Sequence, residues 1–132
     1  MAPESLELAR AWLAKAHSDL ATARLLINGE EKYLDTGSYH CQQAAEKALK
    51  GWLTACEILF PKTHSLEDLL ALCVPGDPAF AHFRHHAEEL TPLAQEFRYP
   101  GDAAEPDAAQ AERAYELANE LWTFVENRMA EL

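Results

Sequence analysis

A chain of 132 residues, 48% hydrophobic and 25% charged, has the length and composition of one globular domain (1–132) with a single buried core. Its formal net charge of −11 argues against non-specific affinity for DNA, RNA or anionic membranes, because polyanion binding sets Lys and Arg against phosphates. A local basic pocket remains compatible with that charge.

The first helix is predicted from about Glu4 to Ile27, because Leu6, Ala9, Leu13, Ala16, Leu20, Ala23 and Ile27 recur in threes and fours. Trp12 widens this stripe, and Asn28-Gly29 ends it, with glycine expected in a left-handed stop. A polar link through Glu30-Glu31-Lys32 leads by Asp35 to Ser38 into a second helix reaching about Leu59, where Pro61 fixes the end. Ser65 caps a short third helix, with Asp68 in capping-box register and Leu66, Leu69, Leu70 and Leu72 as its apolar face. Val74-Pro75-Gly76 breaks it. Asp77-Pro78 starts a fourth helix to about Leu90, and Thr91-Pro92 adds a kink or fresh turn up to Phe97. Tyr99-Pro100-Gly101-Asp102 is a turn by composition. The last helix begins near Pro106 and continues to about Met129, on the periodicity of Ala111, Ala114, Leu117, Ala118, Leu121, Phe124, Val125 and Arg128.

No window alternates with period two. The fold class is therefore all-α, an up-and-down bundle of four main helices with an additional short helix. Its many alanines imply close packing, with Trp12, Trp52, Trp122, Phe83 and Phe97 supplying bulk. Cys41, Cys56 and Cys73 are odd in number and lack CxxC spacing, so packed thiols in a reducing compartment are expected. Met1-Ala2-Pro3-Glu4 shows no basic segment ahead of an apolar run, and no apolar run approaches the roughly 20 residues of a membrane span. The expected location is the cytoplasm, with neither DNA nor membrane as partner.

The most informative stretch is Ser38 to Lys50. Cys41, Ala45, Ala48, Trp52, Cys56 and Leu59 make one helical face, and Tyr39, Gln42, Glu46, Lys50 and Leu53 form a second stripe beside it. Polar residues bordering a buried seam invite a functional question. The bland answer is a flanking ion pair, since Glu46 and Lys50 have the favoured i,i+4 order.

The block Tyr39-His40-Cys41-Gln42-Gln43-Ala44-Ala45-Glu46-Lys47-Ala48-Leu49-Lys50, followed by Pro61-Lys62-Thr63-His64-Ser65-Leu66, resembles the signature of the HEPN domain family. Ala16-His17-Ser18-Asp19-Leu20 and Phe97-Arg98-Tyr99-Pro100 fit it in the same order. The resemblance implies a small helical prokaryotic domain, often encoded beside a minimal nucleotidyltransferase, and commonly a homodimer.

HEPN ribonucleases carry an arginine followed, after about four to six residues, by a histidine late in the chain; the histidine moves a proton while the arginine stabilises phosphate charge. After Arg98 the eligible positions hold Ala103, Ala104 and Glu105, and after Arg84 they hold Glu89, Leu90 and Thr91. Arg10 and His17 satisfy the count in the first helix, where the family does not place the motif, and they lie about 10.5 Å apart along the axis. No catalytic residue is therefore assigned. His82, His86 and Glu89 share a helical face that could present zinc ligands, but Phe83 stands where HExxH needs glutamate, so a solvent face is the better reading. No Gly-rich phosphate loop or Ser-His-Asp arrangement is present, and neither a metal nor a cofactor is expected.

What the resemblance does pick out is a polar set: Asp19, Gln42, Glu46, Lys50, Lys62, His64, Arg98 and Tyr99. Such residues border a cleft proposed in these domains to bind a nucleotide or RNA end. Lys50, Lys62 and Arg98 could hold phosphate, Gln42 could hydrogen-bond a base or sugar, and Tyr99 could stack on a ring. A structural account stands beside it, in which Asp19 and Glu46 pair with Lys or Arg and pin the helices together. The function expected is a non-catalytic partner or substrate-presenting half of a minimal nucleotidyltransferase system of toxin–antitoxin type. The alternatives are a ribonuclease with an atypical catalytic set and a ligand-free dimeric interaction module.

Overall fold

The structure, a computed structural model, describes residues 1–95, 100–101 and 105–132. It is all-helical: α1 (Pro3–Asn28), α2 (Leu34–Ala55), α3 (Leu66–Cys73), a 3-10 turn (Pro78–Phe83), α4 (Arg84–Leu90), a second 3-10 turn (Thr91–Ala94) and α5 (Ala108–Ala130). No strand occurs among the described residues.

The strict three-and-four repeat of α1 has an average period of 3.5 residues, which holds one seam against a neighbouring helix. That neighbour is chiefly α2, and α5 closes the other side of both. Ala9, Ala16 and Ala23 are fully buried in the seam and alternate with Leu13, Leu20 and Ile27. On α2 the facing residues are also small: Cys41, Ala44, Ala45, Ala48 and Gly51. A Cβ at Gly51 would stand 3.2 Å from the Ala9 carbonyl oxygen and 3.1 Å from Trp12 Cβ. Small side chains on both helices let the two backbones approach.

Two helix ends differ from expectation. At Gly29 the backbone is extended (φ −69°), not left-handed. Space is what requires glycine there, since a Cβ would meet the Leu25 carbonyl oxygen at 2.9 Å. α2 stops at Ala55, a turn before Leu59. Glu57 takes the left-handed conformation (φ 58°), Ile58 N–H donates to Leu53 O, and Glu57 N–H donates to Thr54 O. This pair of bonds is a Schellman stop with glutamate where glycine is usual. Leu59 is consequently 94% exposed rather than part of the apolar face. Because a left-handed L-residue costs roughly 1–2 kcal/mol and glycine has no such penalty, Glu57→Gly should raise stability by about 0.5–1 kcal/mol, readable as a higher denaturation midpoint at unchanged m-value.

The fourth main helix is not one helix. Asp77 caps it as expected, its carboxylate accepting the Ala79 N–H, but the first six residues are 3-10. A 3-10 turn places i and i+3 on one side. Phe80 and Phe83 are thereby both buried against Phe124, with ring centroids 5.0 and 4.8 Å away. Ser65 caps α3 as expected by accepting the Asp68 N–H, while the Ser65 N–H donates to Thr63 Oγ1. α5 begins at Ala108 behind a reciprocal capping box between Asp107 and Gln110.

Candidate functional site

The polar set divides around two buried carboxylates. Glu46 lies in mid-α2, 5% exposed, where a lone charge would be costly. Three donors meet it. Lys50 Nζ donates to Oε2 at 3.0 Å, His64 Nδ1 to Oε1 at 2.8 Å, and Gln42 Nε2 to Oε1 at 3.3 Å. Gln42, fully buried, also donates to the His64 carbonyl at 3.0 Å and accepts from Gln43 Nε2 at 2.8 Å. Gln42 and Glu46 together therefore grip both backbone and ring of His64, and with it the loop between α2 and α3. Lys50 is nearly covered, 5.9 Å from the ring centres of Trp12 and Phe60.

Burial pushes the Glu46 carboxyl upward, but the bonds from His64 and Lys50, the Lys50 charge and the bond from Gln42 outweigh it. The net value lies below the ordinary 4.5. A depressed folded value means that Glu46 stabilises the fold above the unfolded value, and that this contribution is lost as pH falls through the folded one. The stability gap between the native protein and Glu46→Gln should hold from neutrality to about pH 5 and narrow below about pH 4, as followed by urea unfolding at stepped pH.

Asp19 on α1 is 8% exposed and pairs across to α2. Lys47 Nζ donates to Oδ2 at 2.7 Å and His40 Nδ1 to Oδ1 at 2.9 Å. The structural account foresaw a Lys or Arg for Asp19, but neither Lys47 nor His40 was in the polar set. They stand seven residues apart, on one face two turns long, and only the rotation of α1 against α2 brings Asp19 between them. Lys62 is exposed on the loop that Glu46 holds. Arg98 and Tyr99 lie outside the described residues.

Elsewhere the candidates are otherwise engaged. His86 Nε2 bonds Glu120 at 2.8 Å, Arg113 holds Glu89 at 3.1 Å, and no three His, Cys, Asp or Glu among the described residues are grouped to hold a metal. Arg10 and His17 border a shallow surface groove beside Trp122, whose ring lies 5.1 Å from that of His17. All three cysteines are free. Burial, with nearby carboxylates, pushes the Cys41 thiol up to about 12; burial, then Cys56 and Asp77, does the same to Cys73. Neither is poised to act as a nucleophile. No helix among the described residues is long and apolar enough to cross a membrane.

No curated protein sequence matches this one. The crystal structure of TT1696 from Thermus thermophilus is similar, with 33% identity and a TM-score of 0.76 over 90% of this chain and 96% of that one. The family model for the HEPN domain matches residues 9–128, which takes in both carboxylates, their partners and every helix that carries them. A family model matched over so much of the chain shows that the chain belongs to the HEPN domain family.

Proposed function

We propose that the chain is a single-domain, cytoplasmic, non-catalytic HEPN protein that binds a nucleotide or RNA end and presents it to a minimal nucleotidyltransferase, as one half of a toxin–antitoxin-like pair. One observation carries the reading: Glu46 and Gln42 grip His64 from behind, while 53% of its side chain remains exposed beside exposed Lys62. A loop held rigid from within and cationic at its rim suits a phosphate, and functional groups commonly sit on loops fixed by a scaffold. Lys50 serves that loop as a clamp, not as a phosphate ligand. Arg98 and Tyr99 join the site through the family resemblance alone.

Because no histidine follows Arg98 at the ribonuclease spacing, purified protein should leave single-stranded and transfer RNA intact. Cleavage that disappears in Arg98→Ala would overturn the non-catalytic part. The partnership is tested by co-expression with a nucleotidyltransferase encoded beside the chain: a co-purifying complex is expected, and two separately eluting proteins would refute it. We also propose a homodimer, on the family's habit. Sedimentation equilibrium decides it.

A further inference from the structure

We propose that two copies of the chain pair through the outward face at the start of α1, antiparallel about a two-fold axis, with Glu4 of each copy facing Lys15 of the other. The surface belongs to the homodimer proposed above, on which the inference rests. The inner face of α1 is taken up by α2 and α5. On the outer side Glu4, Leu8, Ala11 and Lys15 recur in fours and threes, so they form one stripe. All four are exposed, Leu8 by 56%. Two contacts fix what lies beside the stripe. Ser5 Oγ donates to Glu57 Oε1 at 3.2 Å, and Trp12 and Phe60 flank the Lys50 ammonium, each ring centre 5.9 Å away. The loop between α2 and α3 therefore runs along α1 at this level and presents Leu59, 94% exposed, next to Phe60. Leu8, Trp12, Leu59 and Phe60 thus share one end of the bundle. Single exposed leucines are ordinary on a protein surface; a group of apolar residues on one face marks a contact site.

Charge says what covers this face. The chain carries −11 overall, so two copies repel unless opposite charges meet where they touch. The ends of the stripe are unlike. Glu4, with Glu57 held nearby through Ser5, makes one end acidic, and Lys15 makes the other basic. Neither Glu4 nor Lys15 has an ion-pair partner among the described residues. They stand about 16 Å apart along the helix. A two-fold axis crossing the stripe midway between Leu8 and Ala11 exchanges its ends. Glu4 of each copy then meets Lys15 of the other, twice per dimer. Leu8 of each lies against the small Ala11 of the other, which lets the helices approach. An isologous interface needs a self-complementary patch of this kind. A different protein would have no need of unlike ends placed symmetrically about an apolar middle. Lys62 and His64 follow Phe60 on the loop and take no part in the stripe.

Sedimentation equilibrium of the full chain across micromolar concentrations, native and variant, tests it. Lys15→Glu and Glu4→Lys should each weaken association by about tenfold or more, because each sets like charges face to face twice per dimer. Mixed in equal amounts, the two variants should associate again, since one offers only acids at the ends of the stripe and the other only bases. The double variant, Glu4→Lys with Lys15→Glu, should dimerise as the native chain does. Leu8→Gln should weaken association by about tenfold without rescue by any charge change. All these positions are exposed, so each variant should keep the native circular dichroism and melting temperature as a monomer. A native dimer that survives every single substitution would refute this surface and leave the homodimer standing. Single variants that fall apart and do not re-associate when mixed would refute the antiparallel pairing. A native chain that sediments as a monomer would overturn the homodimer and this surface together. If Leu8→Gln then released a co-expressed nucleotidyltransferase, the face would belong to that partner instead.

Discussion

Lys50→Met should lower the melting temperature by roughly 10 °C, from a loss on the order of 3 kcal/mol. An exposed i,i+4 pair would lose only about 0.2–0.5 kcal/mol, so the size of the effect separates the two accounts of this residue. Glu46 is 6% exposed at its side chain and Lys50 13%, which places the pair in the interior regime. Removing the ammonium leaves Glu46 Oε2 without its donor, while Oε1 keeps His64 and Gln42. The remaining two bonds hold the cost toward the lower end of the roughly 3–5 kcal/mol seen when a buried pair is broken. Methionine keeps the packing against Trp12 and Phe60, so lost volume does not explain the result. Lys50→Met with Glu46→Gln should recover part of the loss, because the stranded charge is gone too. A variant with native stability and weakened nucleotide binding would instead make Lys50 a ligand.

What the sequence made legible follows the range of the interaction. α1 was readable because its seven-residue repeat is a local pattern, and its observed ends lie within a residue of those expected. Glu46–Lys50 was readable for the same reason: i,i+4 residues meet without tertiary help. The end of α2 was not, because its stop uses Glu57 in a conformation that only glycine announces, and Pro61 was the nearer signal. Asp19 was singled out, yet Lys47 and His40 were not paired with it, since that contact depends on how two helices rotate against each other. Ser38 looked like a helix-entry residue, yet it is only 1% exposed.

Phe80→Ala should be the most damaging single core truncation in the α3–α4 region, at about 3–5 kcal/mol, close to the whole margin of a small domain. Phe80 is fully buried, although the bulk of the core was expected from the tryptophans, Phe83 and Phe97. Its ring lies 5.4 Å from Trp52 on α2 and edge-on to Phe124 on α5 at 5.0 Å, so one side chain joins two long helices. It does so from a 3-10 turn, whose poorer hydrogen-bond geometry contributes little order of its own. The turn is fixed at its start by Asp77, which Arg128 Nε holds at 2.8 Å, and within it by Phe80. Losing the ring leaves a cavity and loosens the segment that delivers α4 to the bundle. Phe80→Leu fills part of the space and should cost about half as much. Arg128→Ala probes the half-exposed tether alone and should cost about 1 kcal/mol. If Phe80→Ala and Arg128→Ala proved equally mild, the turn would be held by the chain's own hydrogen bonds, and the aromatic contact would be incidental.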